Sequence, residues 1–316
     1  MNKKQLIAYI LPAVLVLTLP LYLNNLYYLH IINLAGIYTL ITIGLNILGG
    51  YTGQTSMGQA GFFAIGTYVT ALSMMTLKLP FFAAMILGII AAGICGLIIS
   101  IPAMKLDGPY LVLATVGFGE IVRLVLLNWT PVTRGAAGLT GIPYPELFGL
   151  RIVSEQQFFY LILAFVVLGV YIATRIAKSK VGRTFRAIRD DAVAADAMGV
   201  NVNRYKIAAF ILSAMYAGLA GALMGSFAGV TSPDNFTFDD SVSFLCMSVI
   251  GGNTTVIGAI IGAFILTLSS EALRFFQGGR LVVYGLILVL TVIYMPNGLV
   301  GIAEKIREKL AKRKAQ

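Results

Sequence analysis

The chain has 316 residues, of which 58% are hydrophobic and 11% are charged, and its mean hydropathy is +0.88. Soluble globular domains have about 45–50% apolar and about 25% charged residues, so this composition excludes a soluble enzyme, a secreted disulfide scaffold and a disordered module. No polar stretch is long enough to form a separate soluble domain. The composition is that of a protein with many membrane-spanning segments.

The net charge of +10 is concentrated in three clusters, each beside an apolar segment. Lys3 and Lys4 form the first, eight Lys and Arg lie in 175–206, and six lie in 305–314. Loops rich in Lys and Arg stay on the cytoplasmic side of a membrane. The basic charge therefore predicts membrane topology, and we expect no nucleic-acid partner.

Ten apolar segments follow one another along the chain as candidate membrane helices, with no alternating barrel pattern. They cover residues 5–23, 29–48, 61–77, 80–102, 109–127, 158–177, 207–228, 238–251, 254–273 and 281–297. A helix needs about 20 residues to cross about 30 Å of hydrocarbon, so the segment 238–251 is short and is expected to be a broken or half helix. The predicted fold class is all-α: one transmembrane bundle of 9–10 helices over residues 1–316.

The orientation of the bundle follows from counting crossings. Lys3 and Lys4 place the N-terminus inside, where an apolar run without a cleavage site predicts an uncleaved first helix. Six crossings later the loop 178–206, with seven Lys and Arg, is also inside, and 128–157 is outside. The tail 304–316 carries six cations against two acids, and ten helices place it inside whereas nine leave it outside. Both termini are therefore predicted to be cytoplasmic.

Few residues are suited to metal or covalent chemistry. Cys95 and Cys246 lie in apolar segments without a C-x-x-C pattern, and His30 is the only histidine. We predict small buried thiols without a disulfide, no metal site and no catalytic residues.

The densest polar stretch among the apolar segments is GGYTGQTSMGQAG, residues 49–61. Its five glycines each lower helix propensity by about 1 kcal/mol, and irregular backbone at membrane depth survives only inside protein or against a water-filled cavity. Close helix packing is the alternative, but it does not explain two glutamines. We favour a break that lines a transport pathway. The predicted pathway residues here are Thr52, Gln54, Thr55, Ser56 and Gln59.

A weak internal repeat occurs at an offset of 202 residues. GGYT at 49–52 matches GGNT at 251–254, and Phe62 matches Phe264. Chance is the alternative in a chain with 34 glycines, but paired glycine-interrupted segments in two halves indicate a transport pathway. Asn253 and Thr254 therefore join the predicted pathway residues.

Two ionisable residues, Glu120 and Arg123, lie within the segment 109–127. Their i,i+3 spacing places them on one helix face, where they can pair. Ionisable groups inside a membrane segment indicate a functional site, and a purely structural ion pair is the alternative. We include both residues in the predicted pathway.

A third feature is the glycine series in 207–228 and just beyond it. Gly221, Gly225 and Gly229 recur every fourth residue, with Gly218 one position off this spacing. Small residues at this spacing let helices approach closely, so the series predicts a packing face and not a ligand site.

The loop 178–206 is longer than the usual helix connection of about 2–8 residues. It has an arginine at every third position from 183 to 189, interleaved with aspartates, which predicts a short amphipathic helix on the cytoplasmic surface. A positively charged anchor for lipid head groups is the alternative. We prefer docking to a cytoplasmic partner. The predicted contact residues are Arg186, Asp191, Ala194, Ala195, Asp196 and Gly199.

Taken together, several stretches resemble the branched-chain amino acid ABC transporter permease family, specifically its M-type membrane subunit. They are LNILGGYTGQTSMGQAGFFAIGTY (45–68), LDGPYLVLATVGFGEIVRLVLLNW (106–129), RGAAGLTGIP (134–143), RTFRAIRDDAVAADAMGVNVNRYK (183–206) and GGNTTVIGAIIGAF (251–264). The resemblance covers nearly the whole chain.

The resemblance implies a subunit of a five-part importer in a bacterial-type plasma membrane. The expected partners are a second, related permease, two cytoplasmic ATPases and an extracytoplasmic binding protein. The family's EAA-x-x-x-G loop docks into the ATPase; Ala194, Ala195 and Gly199 fit this pattern, but Val193 replaces the acidic residue. No G-x-x-x-x-G-K-[S/T] motif occurs in the sequence, so we expect no enzymatic activity and no cofactor in this chain, with ATP used by the partners.

The resemblance implies branched-chain amino acids as the solutes, with urea, short amides or other amino acids as alternatives. A secondary transporter driven by an ion gradient is a less favoured alternative, because only Glu120 and Glu271 could supply an intramembrane carboxylate relay.

Overall fold

The computed structural model describes residues 17–272 except 21, 23, 24, 105, 107 and 148. Most of the predicted first helix, the predicted last helix at 281–297 and the basic tail lie outside the described residues. The described helices are α1 Leu26–Leu45, α2 Gln59–Met75, α3 Phe81–Ala103, α4 Pro109–Asn128, α5 Thr130–Thr133, α6 Glu155–Lys178, α7 Lys180–Asp190, α8 Ala192–Ala197, α9 Val202–Ala228, α10 Phe238–Gly251 and α11 Val256–Ala272.

Short elements connect these helices. A π-helical turn, Asn46–Gly50, extends α1, and 3₁₀ turns cover Gly135–Ala137 and Pro233–Asn235. Two antiparallel ribbons of two-residue strands lie in the connections: β1 Leu139–Thr140 pairs with β4 Val230–Thr231, and β2 Glu146–Leu147 pairs with β3 Leu150–Arg151. The ribbons are minor additions to a helical protein.

Five described segments are long and apolar enough to cross a membrane, which confirms an all-α membrane protein. They are Leu26–Gly50, Phe81–Ala103, Pro109–Asn128, Glu155–Lys178 and Val202–Ala228, and Val256–Glu271 is a shorter apolar helix. The total of ten crossings stays a prediction.

The long helices run between two ends of one bundle. At the end that holds the basic loop 178–206, here called the basic end, Arg189 donates to the Gly50 carbonyl over 2.9 Å and Gln54 donates to the Lys206 carbonyl over 3.3 Å. At the opposite end, the Tyr27 hydroxyl donates to Glu271. These bonds place residues 50, 54, 189 and 206 at one end of the bundle and residues 27 and 271 at the other.

Glycines hold the centre of the bundle together. A Cβ on Gly66 would lie 2.2 Å from the Gly218 carbonyl oxygen, and one on Gly221 would lie 2.1 Å from the Phe63 carbonyl oxygen. α9 therefore packs backbone to backbone on α2, which confirms the predicted packing face. Gly229 is an exception to that prediction: it ends α9 in a left-handed conformation, with φ of 69°, and has open space around it.

The short predicted segment at 238–251 is a half helix. α10 begins level with the first turn of α2, where the Ala60 amide donates to the Ser241 hydroxyl over 3.0 Å. It then runs parallel to α1, with Phe244 against Tyr38, and ends at Gly251 at the basic end. Its 14 residues are fewer than the roughly 20 that a full crossing needs.

Candidate functional site at the basic end

Two glycine breaks lie against each other at the basic end. The first follows the π turn Asn46–Gly50, and the second separates α10 from α11. A Cβ on Gly50 would lie 1.5 Å from the Asn253 carbonyl oxygen, so only glycine lets these two backbones meet. The predicted repeat therefore has a structural counterpart: two parallel helices, α1 and α10, end at glycine pairs that touch.

Asn46 holds the two breaks in register. Its side-chain amide donates to the Thr255 carbonyl over 2.8 Å and more weakly to the Gly252 carbonyl over 3.4 Å. Its side-chain oxygen accepts from the Ser248 hydroxyl. One buried asparagine in the first half of the chain thus forms hydrogen bonds with two backbone carbonyls of the second break.

Of the polar residues predicted in the first break, four are buried and one is exposed. Thr52, Gln54, Ser56 and Gln59 are buried, and Thr55 is exposed. Gln54 donates to the Thr52 hydroxyl over 3.1 Å as well as to Lys206, and Gln59 donates to the Ser213 hydroxyl over 2.9 Å. Both glutamines therefore connect the break to α9.

Each of these glutamines also carries an oxygen without a hydrogen-bond partner among the described residues. The atoms are Gln54 Oε1 and Gln59 Oε1, in side chains of residues that are 5% and 0% exposed. A buried acceptor that makes no hydrogen bond lowers the stability of the fold by about 1–3 kcal/mol. Helix packing explains the amide nitrogens but not these oxygens, and of the two glutamines Gln54 is the one that lines a cavity.

A cavity of about 860 Å³ opens beside the first break at the basic end. Thr52, Gln54 and Thr55 line one side, and the start of α4 lines another. The third side is the junction of α7 and α8, including Arg189 and Asp191, together with Lys206 from α9. The cavity therefore joins predicted pathway residues to the predicted docking loop, and it is large enough to hold a small solute.

The loop itself folds as two helices rather than one. α7 is amphipathic as predicted and buries Phe185 and Ile188. Asp191 lies between α7 and α8. Its carboxylate caps α8 by accepting from the Val193 and Ala194 amides over 2.9 and 3.0 Å. Two helices form because Asp191 is extended, with φ of −159°.

Gly199 ends α8 in a left-handed conformation. Its φ is 84°, its amide donates to the Asp196 carbonyl over 2.8 Å, and the Val200 amide donates to Ala195 over 3.1 Å. This pair of bonds is a Schellman motif. The resulting tip presents Val193 and Met198, which are 80% and 84% exposed.

Ala195 is the buried member of the predicted docking set, whereas Asp191, Ala194, Asp196 and Gly199 are exposed. Arg186 lies further back, at the corner between α6 and α7, where it donates to the Ala177 carbonyl over 2.9 Å. Burial raises the pKa of the Tyr51 hydroxyl beside the first break, and the positive charge of Arg186 opposes that shift.

The other predicted pathway residues do not line the cavity: Ser56 and Gln59 of the first break, Glu120, Arg123, Asn253 and Thr254. Glu120 and Arg123 pair with each other at 2.6 Å, and Arg123 also lies 3.5 Å from Asp234. The Glu120 side chain is 43% exposed on a membrane-spanning helix. Asn253 contacts the first break, and Thr254 is exposed beside it.

Four residues at this site escaped the sequence analysis: Asn46, Arg189, Ser213 and Ser241. Asn46 and Ser248 are 202 residues apart, the offset of the predicted repeat, so a polar pair at that offset was the available signal. Arg189 belongs to the arginine series that drew attention to Arg186. Ser213 and Ser241 carry no sequence pattern that separates them from other serines.

Comparison with known proteins places the chain in a family. Residues 27–293 match the family described as branched-chain amino acid transport system / permease component. The permease protein LivM of Escherichia coli (strain K12), from a high-affinity branched-chain amino acid transport system, is 34% identical; the match covers 85% of this chain and 69% of LivM. LivH of the same strain, also a permease of a high-affinity branched-chain amino acid transport system, is 25% identical over 85% of this chain and 93% of LivH.

A third relative comes from a system with a different solute. The autoinducer 2 import system permease protein LsrC of Klebsiella pneumoniae is 32% identical over 52% of this chain and 48% of LsrC. No solved structure matches the chain. The glycine breaks, the cavity and nearly all residues of helices α1 to α11 lie within the matched residues 27–293. The chain belongs to the family of branched-chain amino acid transport permease components.

Proposed function

We propose that the chain is a membrane-spanning permease subunit of an ATP-driven importer and carries branched-chain amino acids into the cytoplasm. The observation that carries this proposal is the cavity at the basic end, which has the predicted pathway segment on one side and the docking loop on another. Family membership supports the class, and the similarity to LivM supports the solute. The chain itself is expected to catalyse no reaction and to bind no cofactor.

The test is uptake by the reconstituted system. The chain, its second permease, the ATPases and the binding protein would be placed in vesicles, and ATP-dependent uptake of labelled leucine, isoleucine and valine would be compared with uptake of urea and of a polar amino acid. We expect uptake of the three branched-chain amino acids. Uptake of urea alone would support the second candidate function, an importer of short amides. A different solute is conceivable for a permease of this kind, since the similar LsrC belongs to an autoinducer 2 import system.

The cytoplasmic partners are proposed to dock on the tip of α8. The exposed Val193 and Met198 side chains suit an apolar groove on a partner. α8 is also compact, with six residues between its two caps. A helix with both ends capped resists deformation better than a flexible linker, because its terminal amides and carbonyls are already paired. We therefore assign docking of the ATPases to the exposed Asp191, Ala194, Asp196 and Gly199, with the buried Ala195 packing beneath them and Arg186 supporting the loop from behind.

A second permease subunit is proposed to cover α4. An exposed carboxylate facing lipid is costly, and the Glu120 side chain is 43% exposed on this helix although Arg123 pairs with it. A methyl group added at Gly117, on the same exposed side, would meet open space within 4 Å, so another helix can approach closely there. A related subunit across this face would shield the pair and place the solute pathway between the two chains.

Membrane topology gives a direct prediction. Val193 and Val153 are both exposed valines, and the charge count places them in the cytoplasm and outside, respectively. In a variant whose native Cys95 and Cys246 are replaced by alanine, Val153→Cys is expected to react with an impermeant thiol reagent on intact cells, and Val193→Cys only after lysis. A cysteine at Lys314 is expected to behave like Val193→Cys. Labelling of Val193→Cys on intact cells would show that the orientation is reversed.

The predicted pathway role of Gln54 is tested by Gln54→Leu. Leucine removes an unpartnered buried oxygen together with two hydrogen bonds, so stability is expected to change little while uptake falls about tenfold, the effect of one lost solute hydrogen bond of roughly 1–1.5 kcal/mol. The matched control is Gln156→Leu on the exposed first turn of α6, which should transport normally. Loss of the assembled complex in Gln54→Leu would favour the packing interpretation instead.

A further inference from the structure

We propose that Arg189 is the positioning residue that transmits movement of the docking helix α8 to the two glycine breaks. The proposal rests on the proposed function, because it takes the tip of α8 as the contact with the ATPases. It adds one connection that neither the family nor the cavity specifies: a single side chain that joins the moving loop to the backbone of the pathway.

The connection starts one residue before the cap of α8. The Arg189 guanidinium donates through Nε and Nη2 to Asp190 Oδ1, over 3.1 and 2.9 Å, and through Nη1 to the Gly50 carbonyl over 2.9 Å. Asp191, two residues after Arg189, holds the first turn of α8. The guanidinium is thus fixed at one end by the loop and at the other by the last residue of the π turn.

Gly50 is a suitable point at which to receive a force. It lies in the last turn of a helical segment that ends at Thr52, where carbonyls lack an intrahelical partner and face the negative end of the helix dipole. A charged donor makes a stronger bond to such a carbonyl than a neutral donor does. Arg189 also packs against Gly53, whose φ is 73°; a Cβ there would lie 3.3 Å from Arg189 Cγ.

A displacement of Gly50 would then be transmitted directly to the second break. Gly50 is in direct backbone contact with Asn253, and Asn46 ties the same turn to Thr255 and Ser248. Close-packed contacts transmit displacement because there is no space to absorb it. Movement of α8 therefore displaces both breaks together, and with them the wall of the cavity formed by Thr52, Gln54 and Thr55.

The other two arginines of the series lack this contact. Arg183 donates only weakly, over 3.5 Å, to the Lys178 carbonyl, and Arg186 donates to Gly182 and Ala177. These bonds remain within the corner of α6 and α7. Of the three arginines, Arg189 is the one for which the structure shows a bond from the loop to a glycine break.

The test compares Arg189→Ala with Arg183→Ala in the complete reconstituted importer. Uptake per ATP hydrolysed is measured, because a residue with only a structural role would change the amount of assembled complex and not this ratio. We expect the ratio to fall about tenfold in Arg189→Ala, since a charge-assisted hydrogen bond is lost, and to stay unchanged in Arg183→Ala. Arg189→Lys keeps a cationic donor and is expected to recover most of the ratio.

Two further comparisons keep the outcome unambiguous. If Arg189→Ala does not assemble, Asp190→Asn replaces it, because this exposed carboxylate holds the guanidinium and its loss should lower the ratio by a smaller factor. A wild-type ratio in Arg189→Ala, or in Asp190→Asn where the alanine variant fails to assemble, would overturn the proposal. Absence of ATP-dependent uptake in the wild-type system would instead count against the proposed function.

Discussion

Gly50→Ala is expected to prevent stable folding of the bundle. The new methyl group would lie 1.5 Å from the Asn253 carbonyl oxygen, far inside van der Waals contact, and the obstacle is backbone that no rotamer change can move. Forcing extra atoms into a packed core costs about 1–3 kcal/mol, and here the two breaks must separate, so we expect a loss of about 3 kcal/mol or more. The measurement is the midpoint of thermal unfolding in detergent, together with the yield of monodisperse protein.

The matched control is Gly117→Ala on α4. Both variants add one methyl group, but Gly117 has open space around it and lies inside a helix, where alanine is favoured over glycine by about 1 kcal/mol. The control should be as stable as the wild type or slightly more so. Equal unfolding midpoints for the two variants would mean that the glycine breaks do not touch.

The glycine pairs show what a sequence can predict here. Two helices that each end at Gly-Gly, followed by Thr two residues later, indicated paired breaks from the spacing alone. The contact between the breaks could not be inferred in the same way, because a tight turn and a close backbone approach both require glycine. Only the packing of α10 parallel to α1 shows that Gly50 serves the second purpose.

The arginine series shows the opposite limit. Periodicity places arginines 183, 186 and 189 on one face of α7, and it gives no reason to prefer one of them. The last of them faces the first break because α7 ends there and the chain turns at Asp191. A turn set by one extended residue is a local event that helical periodicity cannot anticipate, so the predicted docking residues include Arg186 and not Arg189.

The predicted pathway set separates into groups for a similar reason. Residues of one continuous break, such as Thr52, Gln54 and Thr55, lie together on one wall of the cavity because they are adjacent in the chain. Glu120 and Arg123 were added for their charge, which gives no position relative to the break. In the structure they pair with each other and with Asp234, away from the cavity lining. Their role in transport stays a prediction.

Gly199→Tyr is expected to uncouple ATP hydrolysis from uptake while the chain remains in the membrane. Gly199 has φ of 84° and nothing within 4 Å of a Cβ position, so tyrosine fits the space but strains the backbone by about 1–2 kcal/mol. That strain opposes the Schellman bonds which fix the end of α8 and lowers the population of the capped helix about tenfold. Uptake per ATP hydrolysed should fall by a similar factor, measured in the reconstituted importer.

Gly199→Asn separates strain from the loss of glycine as such. Asparagine tolerates the left-handed conformation better than other residues with a side chain, so this variant should keep most of the coupling that tyrosine loses. Co-purification with the ATPases is measured for both variants, because a capped tip is needed for force transmission and the apolar side chains of the tip are needed for docking. If Gly199→Tyr transported normally with the ATPases attached, the cap would have no part in coupling, and the loop would revert to a charged anchor at the membrane surface.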